Sequence, residues 1–118
     1  EAAADAFPDL DLKERGIFLL KLDIEGLEPA VLRSLASAEV PLKFVTFEFA
    51  ANVWPESLGG VIEDLARTGY FCFLITAERL FPISRPFWDS VYELPVWSNV
   101  LCGLEADADL ERLVQLHL

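Results

Sequence analysis

An apolar run that ends in acidic residues constrains this chain more than any other feature. Residues 17–26 read IFLLKLDIEG. A run without polar alternation is typical of a strand that is buried on both faces, as in the parallel sheet of an α/β fold. Open α/β sheets bind ligands just beyond the carboxyl ends of their strands. Asp23 and Glu25 therefore lie where such a fold keeps its chemistry.

The length and charge limit the class of protein. A chain of 118 residues has room for one domain or for part of a larger one. Its mean hydropathy of +0.35 is high, yet no apolar stretch reaches the roughly 18–20 residues of a membrane-spanning helix. A net charge of −11 repels phosphate backbones, so nucleic acid is excluded as a partner. Because the chain contains no Met, we expect it to be a piece of a longer protein.

The cysteines and the histidine do not suggest a metal site. Cys72 and Cys102 lie in separate apolar stretches without the close spacing of metal ligands, and we expect both to be buried, reduced thiols. His117 is the one histidine, and its place on an apolar helix face predicts a packing or surface role. These residues leave the cellular compartment undecided.

Strands and helices are predicted to alternate along the chain. The patterns predict a helical turn at 10–15, strands at 17–23, 43–49, 70–75 and 98–103, and helices at 28–37, from Pro55 to Gly69, and after Asp107. Such alternation favours right-handed crossovers and a mostly parallel sheet. We therefore predict an α/β chain that forms the C-terminal half of a doubly wound fold. The irregular stretch 76–97 is expected to carry a function or a small hairpin of its own.

Residues 20–32, LKLDIEGLEPAVL, carry a family resemblance. They resemble the signature of the FkbM-type methyltransferases, which has the form L-K-[ILV]-D-[IV]-E-G-x-E-x-x-[VA]-L. The stretches 44–49, 65–73 and 98–102 are similar to the family's later elements in the same order, so the resemblance covers about residues 10–103. It divides the chain into an irregular lead-in at 1–16, a partial methyltransferase domain at 17–103 and a C-terminal helix at 104–118.

The resemblance implies an enzyme that transfers a methyl group from S-adenosylmethionine, with O-methyl transfer to a hydroxyl of a small molecule or sugar. It also implies a Rossmann-like sheet whose last strand is antiparallel. The family binds its cofactor through a glycine-rich turn and an acidic residue upstream of the signature, and this chain has no such turn. We thus expect no cofactor-binding residues here, an inactive segment when alone, and the upstream remainder of the domain as its partner.

Three acidic residues are the catalytic candidates. Asp23 and Glu25 would point to one side of an extended strand end, and Glu48 would end the next strand at the same edge. Such carboxylates can accept the proton of a substrate hydroxyl. In the alternative, Asp23 or Glu25 accepts hydrogen bonds from the loop or caps the next helix.

Other residues near this edge are candidates for binding or for local structure. Lys21, Asn52 and Trp54 are predicted to contact the substrate, with pairing to a carboxylate as the alternative role of Lys21 and loop packing as that of the other two. Gly26 is predicted to permit a tight strand-to-helix turn. Glu28 is predicted to have a structural role in the first turn of the helix.

Two other functions compete with a methyltransferase. The surplus apolar content and the aromatic stretch 76–97 would also suit a non-catalytic α/β interaction module or a degenerate paralogue that binds a partner through a bare sheet edge. A metal hydrolase built on Asp23, Glu25 and Glu48 would lack the histidines that such sites usually recruit.

Overall fold

The computed structural model describes residues 12–94 and 97–117. Its elements are α1 (Leu12–Arg15), β1 (Ile17–Leu22), α2 (Glu28–Ser37), β2 (Leu42–Phe49), α3 (Leu58–Arg67), β3 (Tyr70–Ile75), β4 (Leu80–Pro82), a 3-10 helix (Ser90–Glu93), β5 (Ser98–Leu104) and α4 (Ala108–His117). The helix at 28–37 and the strand at 70–75 have their predicted bounds, and the other three predicted strands are each one residue off. The predicted turn at 10–15 is α1, and the lead-in before it lies outside the described residues.

The five strands form one open sheet in the order β1-β2-β5-β3-β4. Only β1 and β2 are parallel, and the other three pairs are antiparallel. The prediction of a mostly parallel sheet is therefore wrong, whereas the antiparallel last strand is confirmed. The reason is the position of β5, which lies between β2 and β3. These two strands run in the same direction as β1, yet they are not hydrogen-bonded neighbours.

Helices cover both faces of the sheet. On one face, α2 and α3 pack against the central strands, and the buried set includes Leu32, Val45, Phe47, Phe49, Leu58, Val61, Ile62 and Val100. On the other face, α4 packs through Leu110 against Phe44, Phe73 and Leu101. Each such side chain contributes about 1.5–3 kcal/mol when it is fully buried. Among the described residues, no helix is both long and apolar enough to cross a membrane.

A disulfide joins Cys72 and Cys102. The two residues lie directly opposite each other on β3 and β5, and both are fully buried. The predicted burial is confirmed, but the prediction of reduced thiols is wrong. The cysteines are 30 residues apart in sequence, so nothing in their spacing indicates a pair. The insertion of β5 beside β3 brings them together.

The irregular stretch after β3 is tied to α3. It contributes β4, which pairs antiparallel with β3. The hairpin therefore includes the preceding strand and is not contained within the stretch 76–97. Its Glu93 carboxylate accepts the backbone N–H groups of Leu58 and Gly59 at 2.9 and 2.8 Å. Helix α3 begins at Leu58 and not at the predicted Pro55, because Ser57 is its N-cap and accepts the N–H of Gly60 at 3.1 Å.

Candidate functional site

The turn after β1 determines where the motif carboxylates point. β1 ends at Leu22, and Glu25 and Gly26 follow in a tight turn with φ of 52° and 100°. Glu25 is therefore not in extended backbone, and the prediction that Asp23 and Glu25 point to the same side of an extended strand end is wrong. Two consecutive positive φ angles are typical of the primed turns that glycine favours. The predicted role of Gly26 in a tight turn is confirmed.

Glu28 holds this turn closed. Its side chain is 1% exposed, and its carboxylate accepts the N–H of Gly26 at 2.8 Å and the N–H of Ile24 at 3.0 Å. The loop-binding role that we had considered for Asp23 or Glu25 thus belongs to Glu28. Because Glu28 accepts both of these N–H groups, the Asp23 carboxylate is not needed as their acceptor.

A cleft of about 400 Å³ opens at the ends of β1, β2 and β3, and we name it the carboxyl-edge cleft. It is lined by Lys21, Leu22, Asp23, Thr46, Phe47, Glu48, Ile75 and Asn99. The structure therefore brings three of the predicted site residues together, namely Lys21, Asp23 and Glu48. They come from two parallel strands, as the sheet-edge argument predicts.

The polar side chains of the carboxyl-edge cleft are not engaged with the rest of the protein. Within residues 12–94 and 97–117, the side chains of Lys21, Asp23, Glu48 and Asn99 make neither a hydrogen bond nor an ion pair. Lys21 is exposed. The alternative prediction, that Lys21 pairs with a carboxylate, is wrong for the described residues. Two carboxylates, one ammonium and one carboxamide thus belong to residues that line a common cleft, and none of them is engaged by another described residue.

Asn99 is a cleft residue that sequence reasoning did not select as a site. It lies directly opposite Glu48 in the β2–β5 pair and opposite Ile75 in the β3–β5 pair. Residues directly opposite each other in an antiparallel pair project from the same face of the sheet. The signal was the Asn before the apolar residues of the last strand, but only the position of β5 relates it to Glu48.

The other predicted site residues lie outside the carboxyl-edge cleft. Asn52 is exposed in the turn after β2. Trp54 is 7% exposed, stacks on Phe47 with ring centroids 5.6 Å apart, and contacts Phe49 edge-on at 5.0 Å. Its indole N–H donates to the carbonyl oxygen of Glu48 at 3.1 Å. Trp54 therefore packs in the core beneath the site and supports the strand end that carries Glu48.

A second cleft, of about 420 Å³, lies between α3 and the stretch after β4. Two arginines line it, but Arg85 is paired with Glu63 at 3.1 Å and Arg67 is paired with Asp64. Because these cations are already engaged, we favour the carboxyl-edge cleft as the candidate site.

In the part of the chain that the structure describes, no group of three or more His, Cys, Asp or Glu side chains is placed to hold a metal ion. His117 is exposed at the end of α4. No protein-family model matches the chain, and neither the curated proteins nor the solved structures contain a match to it.

Proposed function

We propose that this chain is the substrate-binding part of an S-adenosylmethionine-dependent methyltransferase that acts on a hydroxyl group of a small molecule or sugar. The observation that carries the proposal is the meeting of Lys21 and Asp23, from the signature-like segment, with Glu48 in the carboxyl-edge cleft. A resemblance in sequence and a cleft found independently in the structure select the same residues.

The proposed work of the cleft is to orient a hydroxyl and to take its proton. Asp23 and Glu48 line the same cleft and are not engaged elsewhere within the described residues, so either carboxylate is free to accept that proton. Orientation of the attacking oxygen would supply much of the remaining acceleration. Thr46 and the exposed apolar side chain of Ile75 would position the rest of the substrate.

The described residues do not fit the cofactor. The turn after β1 offers no free N–H groups for a nucleotide at Ile24 or Gly26, because Glu28 already accepts from both. S-adenosylmethionine would supply the methyl group, and in this proposal it is held mainly by residues that this chain does not contain.

The free edge of β1 supports a missing remainder of the domain. In the described residues β1 pairs only with β2, and its Phe18 and Leu19 are 64% and 54% exposed. The opposite edge of the sheet is the three-residue β4 with Pro82, which is the kind of edge that resists further pairing. We propose that a strand of the upstream remainder pairs with β1 and completes a doubly wound methyltransferase sheet.

The decisive experiment uses a protein that contains this chain together with its natural upstream sequence. It would be incubated with S-adenosylmethionine labelled on the methyl group and a set of hydroxyl-bearing compounds. Asp23→Asn and Glu48→Gln should each lower transfer about 100-fold or more if they share the acid–base work. Glu111→Gln, which changes an exposed carboxylate on α4, is the matched control.

Two results would contradict the proposal. One is transfer that both cleft variants leave unchanged. The other is a longer protein that fails to bind S-adenosylmethionine in calorimetry. Micromolar binding of the cofactor by the 118-residue chain alone would instead contradict the statement that its site lies elsewhere.

A non-catalytic interaction module, or a degenerate paralogue that has become one, is the second candidate. The exposed apolar side chains of Phe18 and Leu19 on the β1 edge, and of Trp97 before β5, favour it. In that case a protein partner would pair with β1, and cleft variants would leave its binding unchanged. Phe18→Lys would instead weaken binding of the partner, since a charged side chain discourages pairing at a sheet edge.

A further inference from the structure

We propose that a groove between β3 and α4 binds a basic amphipathic helix of a partner protein. We name it the β3–α4 groove and define it by Phe71, Phe73, Pro82, Phe87, Glu105 and Leu110. It lies at the side of the sheet opposite to β1. Its partner would bind whether or not the chain takes part in methyl transfer.

The β3–α4 groove is an apolar hollow that is open to solvent. Its floor consists of the buried side chains of Phe73 and Leu110. Phe71 is half-buried beside Phe73, with ring centroids 5.2 Å apart, and Phe87 is 52% exposed at the rim. The groove measures about 360 Å³, within the range of roughly 300–1,000 Å³ that ligand sites occupy. Contiguous apolar surface with a polar rim is typical of an interaction site.

The rim of the groove is fixed in the free protein. The N–H of Phe87 donates to the carbonyl oxygen of Ser84 at 2.8 Å, and the Phe87 ring contacts Phe71 edge-on at 6.1 Å. The buried hydroxyl of Ser84 accepts the N–H of Cys72 on β3 at 2.8 Å. Because the turn at 84–87 is anchored to the sheet in this way, little free energy is lost to ordering it when a partner binds.

The charge beside the groove favours a basic partner. Residues 104–111, which connect β5 to α4 and begin that helix, carry four carboxylates and no basic side chain. Asp107 and Asp109 are paired with Lys43. The exposed Glu105 carboxylate has neither a hydrogen bond nor an ion pair within the described residues. Together with the net charge of −11, this field attracts Lys and Arg and repels acidic segments.

A helix suits this side of the sheet better than an extended strand. β4 has three residues and ends in Pro82, which lacks the N–H that a paired strand needs. An extended peptide would therefore gain few main-chain hydrogen bonds. A helix binds such a groove through side chains alone, with apolar residues spaced about one turn apart. A Lys or Arg at the border of that apolar face would then lie beside Glu105.

The groove and the carboxyl-edge cleft are separate. Phe71 lies near the start of β3, whereas Ile75, which lines the cleft, is the last residue of that strand. The strand between them spans about 13 Å at 3.3 Å per residue. A helix in the groove therefore need not block the cleft.

The test is an NMR titration of the ¹⁵N-labelled chain with matched helical peptides. The first peptide carries Leu residues spaced one turn apart, with Lys along the border of the Leu face. The second has Glu in place of each Lys, and the third has Ser in place of each Leu. We expect the first peptide to bind about tenfold more tightly than either of the others, because each of those lacks one kind of contact. The backbone amide signals that shift should include those of Phe71 and Phe87.

Variants assign the binding to the groove. Phe87→Ala should weaken binding of the first peptide about tenfold, because an aromatic contact is lost. Glu105→Gln should weaken it about threefold, as for an exposed ion pair. The matched controls are Leu27→Ala, at an exposed apolar position in the turn after β1, and Glu14→Gln on α1. Both should change the affinity less than about twofold, and the dispersion of the amide signals shows that each variant is folded.

Binding of the first peptide that depends on both Phe87 and Glu105 supports the inference. It is overturned if that peptide does not bind, or if the Glu or the Ser peptide binds equally well. Full affinity for Phe87→Ala, or signal shifts confined to residues outside the groove, would also overturn it. Groove signals that shift with the concentration of the chain alone would show that a second copy occupies the groove instead. None of these results bears on methyl transfer, which is measured with the longer protein and the cleft variants.

Discussion

The buried carboxylate of Glu28 accepts the backbone N–H of Gly26 at 2.8 Å. The other carboxylate oxygen accepts the N–H of Ile24 at 3.0 Å. One side chain therefore satisfies two donors of the turn that links β1 to α2. This turn fixes the path of the backbone directly after Asp23. Glu28 therefore helps to shape the candidate site although it does not line the cleft.

Replacing Glu28 is expected to destabilise the folded protein. In Glu28→Ala the buried N–H of Gly26 and the partly buried N–H of Ile24 lose their acceptor. We therefore expect the free energy of unfolding to fall by about 2–4 kcal/mol. Urea denaturation followed by circular dichroism measures it. Glu14→Ala, at an exposed position on α1, should stay within about 0.5 kcal/mol of the parent. A similar small change for Glu28→Ala would show that these hydrogen bonds do not hold the turn.

The disulfide between Cys72 and Cys102 is expected to stabilise the centre of the sheet. It closes a loop across 30 residues, and the double variant Cys72→Ala/Cys102→Ala should lose about 2–4 kcal/mol. A reductant should lower the unfolding midpoint of the parent and leave that of the double variant unchanged. Mass spectrometry after alkylation of free thiols tests the pairing itself, and two alkylated cysteines in the untreated chain would refute it.

Glu93 is expected to secure the start of α3. Its carboxylate accepts from Leu58 and Gly59 at a helix N-terminus, where negative charge is favourable. Glu93→Gln should cost about 1–2 kcal/mol and speed hydrogen exchange at these two amides. Glu78→Gln, at an exposed position between β3 and β4, is the control on the same stretch. If both variants exchange alike, Glu93 does not act as a cap.

The attachment of α4 is expected to depend on pH. Lys43 on β2 contacts Asp109 at 2.8 Å and Asp107 at 3.5 Å, and Arg112 also donates to Asp109. The hydrogen bonds from Lys43 and then from Arg112 lower the pKa of Asp109 below its ordinary value. The folded state therefore binds a proton at Asp109 less tightly than the unfolded state does. As a result, the free energy of unfolding rises with pH between the folded and the unfolded pKa of Asp109.

The contribution of Asp109 should be complete above its unfolded pKa of about 4 and should disappear as the pH falls through the folded value. Thermal unfolding followed over about five pH units, from about pH 2 to about pH 7, tests this window. Asp109→Asn should be less stable than the parent at neutral pH and should converge with it in acid. Glu111→Gln should keep the acid dependence of the parent, and a parent without this dependence would rule out the contact.

The local elements were largely readable from the sequence. The apolar run before Asp23, the helical spacing of Leu32 and Leu35, and the turn at Gly69 each report a preference that neighbouring residues establish between themselves. The last helix was predicted to follow Asp107, whose carboxylate accepts the N–H of Asp109 at 2.8 Å in the first turn of α4. Such features depend on short-range sterics and hydrogen bonds, which is why a sequence pattern predicts them.

The candidate site was predicted only in part. The sheet-edge argument predicted that Asp23 and Glu48 would share an edge, and the carboxyl-edge cleft contains both. It misjudged Glu25, whose positive φ places it in a turn, and Trp54, which packs in the core. Asn99 was not selected, since no local signal links it to Glu48.

The sequence by itself determined the helix at 28–37, four of the five strands to within one residue, and the acidic edge at Asp23. Only the tertiary structure decided that β5 lies between β2 and β3. That choice made most strand pairs antiparallel, joined Cys72 to Cys102 and set Asn99 opposite Glu48. The physical reason is that strand order depends on which faces bury the most apolar surface together, and this is a property of residues far apart in the chain.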